Sequence, residues 1–294
     1  MASNGLRCFR SLWGSPTALK LASDNTAGST GSYASQLLAH ISRQGFNGIE
    51  ASLGDLEALG GTDVVLPLLA ENELELIVGV YSGWVDYEPQ NLHQQFEGRF
   101  REQLETVSSF SQRPVHINAH SGSDHWCPNE QREFLSRVHE IERELGCDDI
   151  LAHETHRGRM FYSPWPTLAL LEEFPSLKLT LDFSHWCVVT ERLLDAPEDE
   201  EWLLNKVVPR VRHVHGRVGT EQAAQLPYPL DDELSRHEKD EAGGRRPTLT
   251  PEYGPIPYAP RHHEDQQFEA YNVDELCAQQ AAAQRQKFDR VVQA

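Results

Sequence analysis

Short runs of apolar and β-branched residues alternate along the chain with longer amphipathic stretches. The first unit pairs a strand-like run, Leu6–Trp13, with the stretch Tyr33–Gln44, in which Leu37, Leu38 and Ile41 recur at helical spacing. The same pattern predicts further strands at Ile49–Ala51, Leu74–Tyr81, Val115–Ala119, Ile150–His153, Leu177–Leu181, Val211–Val214 and Leu249–Glu252. It predicts helices at 56–72, Leu92–Phe110, Glu130–Leu145, Thr167–Phe174, Glu198–Val208 and Val273–Val292.

This order of elements predicts an α/β fold with a parallel sheet, because each strand, helix and next strand form a right-handed crossover unit. A closed barrel and an open doubly wound sheet both fit the alternation. Eight strands favour a single (β/α)8 TIM barrel over residues 1–294, and the chain lacks the GxGxxG loop of a Rossmann fold. Two stretches, Ala22–Gly31 and Thr220–Arg246, exceed a minimal barrel, and we predict long active-site loops there, after strands 1 and 7.

The chain is strongly acidic, with 26 lysine and arginine residues against 45 aspartate and glutamate residues, a formal charge of -19. Such a surface repels phosphate backbones and anionic lipid, so we expect a small-molecule substrate rather than nucleic acid or a membrane as the partner. Five scattered cysteines without disulfide or CxxC spacing favour a reducing compartment. No apolar signal region or membrane-length apolar run occurs, so the expected location is the cytoplasm. A homo-oligomer is left open.

Polar residues stand where the last four predicted strands end. They are Glu154, Asp182, His215 and Glu252, on strands five to eight. The carboxyl ends of all barrel strands meet at one rim, so these side chains become neighbours there. Carboxylates and an imidazole without thiolates suit one divalent ion, Mn²⁺, Mg²⁺, Co²⁺ or Zn²⁺, with positions open for substrate oxygens. The alternative is that each acid caps the following helix or pairs with an arginine such as Arg217.

At these residues the sequence resembles the xylose-isomerase-like barrel superfamily of sugar isomerases and epimerases, over nearly the whole chain. The resemblance rests on the turn Gly45–Glu50, Glu154, the pair Asp182 and His185, the pair His213 and His215, and Glu252. In that family the matching Glu, Asp, second His and last Glu bind the metal. The resemblance therefore implies metal ligands at Glu154, Asp182, His215 and Glu252.

The resemblance also implies a reaction. Epimerases of the family use their two metal-bound glutamates as an acid and base pair across the substrate carbon, which implies that role for Glu154 and Glu252. Removing a proton beside a carbonyl forms an enediolate, and a carboxylate on each face can move the protons. His185 would hold a substrate hydroxyl or carbonyl. The expected function is a metal-dependent isomerase or epimerase of a small sugar or related polyhydroxy carbonyl compound.

Other chemistries use the same kind of metal site. The superfamily also contains 3-dehydroshikimate dehydratases and metal-dependent DNA-repair endonucleases, so a lyase, dehydratase or hydrolase is the alternative. The charge of -19 argues against an endonuclease. A barrel that only binds a ligand is a third class, which the presence of all four ligands argues against.

Basic residues near the predicted site leave the charge of the substrate open. Arg157 or Arg159 can hold a carboxylate or a phosphate, and a plain surface role is the alternative. Arg217 follows His215 by two residues, whereas sugar epimerases often place an arginine several residues further on. We count Arg157 and Arg217 among the predicted substrate contacts.

Further candidates follow other strands at the same rim. His120 follows strand four and can contact the substrate or a second metal, with a structural histidine as the alternative. Tryptophans follow several strands, and aromatic walls suit a sugar ring, although core packing accounts for any one of them. The predicted contacts are His120, Trp13 and Trp186, with Trp84 and Trp126 as further tryptophans of the same kind.

Overall fold

The structure, a computed structural model, describes residues 5–15, 30–83, 92–217, 219–225, 248–254 and 272–292. Within these residues, eight parallel strands form one closed barrel. They are β1 (Arg7–Ser11), β2 (Gly48–Ser52), β3 (Glu75–Tyr81), β4 (His116–His120), β5 (Leu151–Glu154), β6 (Leu179–Asp182), β7 (Val211–Gly216) and β8 (Thr248–Pro251). The predicted (β/α)8 fold is confirmed, and the open doubly wound sheet is excluded.

The order of the strands around the barrel is their order along the chain. Closure comes from β1 and β8, where Arg7 lies opposite Thr248 and Cys8 lies opposite Leu249. Every neighbouring pair is parallel, so all eight carboxyl ends lie at one rim. That rim carries the residues that end β5 to β8.

Helices connect the strands. They are α1 (Thr30–Arg43), α2 (Leu53–Ala58), α3 (Thr62–Glu71), α4 (Leu92–Ser108), α5 (Pro128–Glu144), α6 (Pro164–Glu173), α7 (Phe183–Thr190), α8 (Pro197–Trp202) and α9 (Val273–Val292). Helix α8 continues into a π-helical turn at Leu203–Val207 and a 3-10 turn at Val208–Arg210. The last helix has the predicted bounds.

Two local departures from the predicted helices have identifiable causes. The stretch 56–72 is two helices, because Gly60 and Gly61 adopt φ angles of 107° and 84°, which a right-handed helix does not contain. Helix α7 is additional to the predicted elements. It begins directly after β6, and the Asp182 side chain caps it by accepting a hydrogen bond from the Ser184 backbone N–H.

The apolar faces of strands and helices share one core, which includes the predicted stripe Leu37, Leu38 and Ile41. Gly48, the first residue of β2, lies where no side chain fits. A Cβ at Gly48 would lie 2.2 Å from the carbonyl oxygen of Glu75 and 2.5 Å from the Phe9 ring. Gly48, the second glycine of the Gly45–Glu50 segment, therefore allows β2 to pack closely against its neighbours.

The two predicted long loops lie largely outside the described residues. Of Ala22–Gly31 only the first two residues of α1 are described, and of Thr220–Arg246 only 220–225, where Thr220 and Ala223 form an isolated antiparallel bridge. Trp84 also lies outside the described residues. Among the helices that the structure describes, none combines the length and the apolar character that crossing a membrane requires.

Candidate metal centre

The structure brings together the four residues that end β5 to β8. They are Glu154, Asp182, His215 and Glu252, and one ligand atom from each lies within 4.8 Å of those of the other three. The first three are buried, and the side chain of Glu252 is 13% exposed. The rim of the barrel therefore holds a compact group of three carboxylates and one imidazole.

Two atoms of this group face each other without a hydrogen bond. Glu154 Oε1 lies 3.5 Å from His215 Nδ1, both atoms are buried, and neither has a hydrogen-bond partner among the described residues. Glu252 Oε2 lies 3.6 Å from the same nitrogen. Buried polar atoms are normally paired, so this arrangement fits a ligand that the four side chains would share. Oxygen and nitrogen donors of this kind fit a divalent cation.

The remaining carboxylate oxygens are held by the surrounding strands. Glu154 Oε2 accepts a hydrogen bond of 2.6 Å from Asn118 Nδ2 and lies 2.8 Å from His120 Nε2. Asp182 Oδ1 accepts hydrogen bonds from the backbone N–H and the hydroxyl of Ser184, at 3.0 and 2.6 Å. The capping role considered for the acids thus uses one oxygen of Asp182, while Oδ2 belongs to the group at the rim.

Arg217 lies against the same group. Its guanidinium donates to Asp182 Oδ2 and to Glu252 Oε2, and its side chain is 2% exposed, so the alternative of pairing with Arg217 holds for these two acids in this structure. Burial alone would raise the pKa of Asp182, but Arg217, His185 and His215 together outweigh burial and hold that pKa well below its usual range. Burial raises the pKa of Glu252 to about 7, although the same guanidinium opposes the shift.

The pKa values of the other two members, His215 and Glu154, are also shifted. Burial would lower the pKa of His215, but the carboxylates of Glu50, Glu154 and Glu252 raise it well above its usual value. Burial would raise the pKa of Glu154, but His120 and His215 hold it well below its usual range. The clustered carboxylates thus stabilise positive charge at the rim. In this structure His215 and Arg217 carry that charge.

Glu50 is a member of the site that the sequence prediction left without a role. It lies on β2, is buried, and its Oε1 is 2.9 Å from His215 Nε2. Thr250 Oγ1 donates to its Oε2 at 2.6 Å. The only signal in the sequence is an acid within a short apolar strand, which does not say whether the side chain points into the barrel or away from it.

A cavity of about 310 Å³ opens above the group. Its walls include Trp13, Tyr81, His120, His156 and Arg217. The ring of Tyr81 stacks on His120, with the ring centres 4.6 Å apart and the planes 17° apart. Trp13, His120 and Arg217 were predicted substrate contacts, whereas Tyr81 and His156 were not.

Two other predicted contacts lie away from the cavity wall. Trp186 is fully buried, and its indole N–H donates to the carbonyl oxygen of Phe161 at 3.0 Å. The structure therefore places Trp186 in the core, because α7 turns it inward directly after the strand. His185 is also fully buried, with Nε2 3.6 Å from Asp182 Oδ2 and its ring centre 4.0 Å from that of His156.

The two arginines after β5 lie in different surroundings. Arg157 is partly exposed, whereas Arg159 is 2% exposed. The Arg159 guanidinium donates to the carbonyl oxygens of Gly83 and Gly122, in the segments that follow β3 and β4. Burial lowers the pKa of Arg159 to about 10. These contacts give Arg159 a structural role, which leaves Arg157 as the candidate of the two for an anionic substrate group, although only Arg217 among the predicted arginines lines the cavity.

Replacing Arg159 by methionine should lower the free energy of unfolding by about 1–3 kcal/mol, because two buried carbonyl oxygens lose a charged donor. Urea unfolding of Arg159→Met beside Arg132→Met measures the effect, since Arg132 pairs with Glu173 on the exposed surface and should cost less than about 1 kcal/mol. Equal losses for both variants would remove the structural role of Arg159.

Among known proteins, the chain is similar to solved structures only. No protein-family profile matches the chain, and no curated protein matches it. A xylose isomerase domain containing protein from Salmonella typhimurium LT2 has a TM-score of 0.55 at 13% identity, over 96% of this chain and 97% of its own. A xylose isomerase domain protein from Alicyclobacillus acidocaldarius has a TM-score of 0.51 at 14% identity, over 84% of this chain and 89% of its own. The IOLI protein, solved with a bound zinc atom, has a TM-score of 0.54 at 13% identity, over 97% of this chain and 96% of its own. The chain therefore has the fold of the xylose-isomerase-like TIM barrels, as the resemblance in its sequence implies.

Proposed function

We propose that the chain is a divalent-metal-dependent isomerase or epimerase of a small sugar or a related polyhydroxy carbonyl compound. The observation that carries the proposal is the pair Glu154 Oε1 and His215 Nδ1, two buried atoms without a hydrogen bond, of which His215 lines the cavity. Asp182 and Glu252 complete the donor set. A barrel of the same fold, the IOLI protein, binds zinc.

The proposed site takes one divalent ion, Mn²⁺, Mg²⁺, Co²⁺ or Zn²⁺, held by Glu154, Asp182, His215 and Glu252. Such an ion would stabilise negative charge on the substrate oxygens when a proton leaves the neighbouring carbon. The absence of thiolates from the donor set leaves room for substrate oxygens beside the protein ligands. The protein's own residues then have to move the proton and exclude water.

Glu154 and Glu252 are the proposed proton carriers. Their surroundings move their pKa values apart: that of Glu154 lies well below its usual range, and that of Glu252 is raised to about 7. A bound ion would lower the pKa of Glu252 again, so both carboxylates would be available to accept a proton. We propose that one of them removes the substrate proton and that the other face of the carbon is served by the second, with the roles exchanged for the reverse reaction. His185 is fully buried and does not line the cavity, so in place of the predicted hold on a substrate hydroxyl or carbonyl we propose that it orients Asp182, whose Oδ2 lies 3.6 Å from His185 Nε2.

The walls of the cavity favour a small polar substrate. About 310 Å³ lies at the lower end of the usual range for small-molecule sites. Trp13 and Tyr81 offer aromatic surface, while His120 and His156 offer ring nitrogens for hydroxyl groups. Arg157 is proposed to hold a carboxylate or phosphate if the substrate carries one, and Arg217 to contact the substrate beside Glu252.

The test is solvent exchange. Metal-loaded protein in D₂O is incubated with a panel of ketoses, aldoses and hydroxy keto acids, including carboxylated and phosphorylated members, and each compound is followed by NMR. The proposal expects deuterium at a carbon beside the carbonyl, with no loss of water and none in chelated protein. Loss of water from a panel member would replace the isomerase by the lyase or dehydratase alternative. A panel with no exchange would reject an isomerase of this substrate class.

A further inference from the structure

Glu50 enters the barrel interior from β2 and reaches side chains on three other strands. Its Oε1 lies 2.9 Å from His215 Nε2 and accepts from Asn118 Nδ2 at 3.3 Å. Its Oε2 accepts from Thr250 Oγ1 at 2.6 Å and lies 3.4 Å from His213 Nε2. A buried carboxylate is costly unless it is paired, and this one is paired with donors from β4, β7 and β8.

The contact with His215 determines which ring nitrogen is available to a ligand. Both ring nitrogens face carboxylates, but only Nε2 lies at hydrogen-bond distance, 2.9 Å from Glu50 Oε1, with no hydrogen bond at Nδ1. A neutral imidazole carries one proton, so that proton belongs on Nε2, where it is donated to Glu50. With the proton on Nε2, the lone pair of Nδ1 points toward Glu154 Oε1 and Glu252 Oε2, which lie 3.5 and 3.6 Å away. The opposite tautomer would place a proton where the ligand should bind.

We propose that Glu50 is a positioning residue that holds His215 in the tautomer and ring orientation needed to bind a divalent ion through Nδ1. This inference rests on the proposed function and adds a residue to it. A carboxylate on the far nitrogen of a metal-bound histidine fixes the ring and increases its strength as a donor.

The surroundings of Glu50 keep its carboxylate in place. Thr250, which donates to it, is fully buried, and His213 Nε2 lies 3.1 Å from the same hydroxyl. The other ring nitrogen of His213 lies 2.9 Å from Thr248 Oγ1. A chain of hydrogen bonds thus connects β8 and β7 to the carboxylate, so that Glu50 has one orientation toward His215.

The chain offers a matched pair away from the cavity. His153 Nε2 lies 3.1 Å from Glu142 Oε1, both residues are buried, and Glu142 belongs to α5. Glu50→Gln and Glu142→Gln therefore remove the same kind of contact from a buried histidine. Only the first histidine faces the donor group at the rim.

The first experiment measures Zn²⁺ binding by competition with a chromophoric chelator. Glu50→Gln should weaken binding by about 10–100-fold, because an amide is a poorer acceptor and can also rotate its NH₂ group toward His215. Glu142→Gln should leave the affinity for the ion at the rim within about twofold of that of the unaltered protein, since distant sites act independently. His139, Glu142 and His153 also lie close enough to hold an ion, so any ion lost only in Glu142→Gln is counted separately. In zinc-loaded protein, ¹⁵N spectra of the histidine rings should show a proton on Nε2 of His215, and Glu50→Gln should shift or broaden that signal.

A second pair of variants covers the case in which Glu50→Gln does not fold. Thr250→Val removes the hydroxyl that donates to Glu50, and Thr250→Ser keeps it. We expect Thr250→Val to weaken Zn²⁺ binding about fivefold, the effect of losing one hydrogen bond, and Thr250→Ser to keep the affinity of the unaltered protein.

The outcomes separate the two proposals. Folded Glu50→Gln with unchanged Zn²⁺ affinity and an unchanged His215 spectrum overturns the role of Glu50 and leaves the metal site standing. Equal affinity of Thr250→Val and Thr250→Ser overturns it as well. Failure of the unaltered protein to bind Zn²⁺ would instead reject the metal site itself.

Discussion

Glutamine in place of Glu252 is expected to lower kcat by about 10²–10⁴-fold, because the amide cannot accept or return the substrate proton. The two side chains have nearly the same shape, so the contact of the carboxyl group with Arg217 changes more than the packing does. Substrate affinity should change little, and the loss should appear in kcat and in kcat/KM alike. Turnover of the substrate found by deuterium exchange, followed by NMR at several concentrations, measures both.

Glu154→Gln should have an effect of the same order. In an epimerase one carboxylate removes the proton and the other returns it on the opposite face, so a single replacement can leave exchange from one epimer faster than turnover. Glu142→Gln, a buried glutamate away from the cavity, is the control for folding. If both glutamine variants keep their metal and the kcat of the unaltered protein, the two-glutamate mechanism is wrong. Of the two alternative proton carriers, His120 and His185, only His120 lines the cavity, so it becomes the proposed one.

Asp182→Asn and His215→Ala should each reduce the affinity for the divalent ion by at least about 10-fold, since each removes or weakens a donor. Asp199→Asn is the matched control, because Asp199 is a buried aspartate paired with an arginine, Arg192, and belongs neither to the donor group nor to the cavity lining. Chelator competition with Zn²⁺ or Mn²⁺ measures all three variants. Affinity in the control should stay close to that of the unaltered protein, and equal losses in all three would mean that the effect is on folding.

Binding of the divalent ion should become tighter as the pH rises. The ion competes with protons, because Glu252 has a pKa raised to about 7 and that of His215 is raised well above its usual value. Both groups must lose their protons to act as donors, so affinity should rise with pH through neutrality and fall below it. The same competition series, repeated between mildly acidic and mildly alkaline pH, tests this slope.

The fold and the grouping at the rim could be predicted because both depend on local signals. The alternation of elements gives the barrel, and barrel geometry makes neighbours of polar residues that end successive strands. Glu154, Asp182 and His215 are far apart along the chain, yet each stands at the end of a predicted strand. Their convergence needs only the order of the strands.

Other features depend on contacts that a local pattern does not encode. Glu50 lies within a strand, and only the barrel shows that it faces His215 on the opposite side. Arg157 and Arg159 are two residues apart, but the carbonyl oxygens that bury Arg159 belong to segments after β3 and β4. Trp186 follows a strand as a cavity residue would, but α7 begins at once and turns it into the core.

The most direct measurement of the central claim is the number of divalent ions that the protein binds after complete chelation. Isothermal titration with Zn²⁺ or Mn²⁺, checked by elemental analysis after dialysis, gives this number for the unaltered protein and for a variant that combines Asp182→Asn with His215→Ala. The account predicts one saturable site per chain, lost in the double variant, and a higher melting temperature when the ion is bound. An unaltered protein that binds no ion, or a double variant that binds it as tightly, would contradict the account.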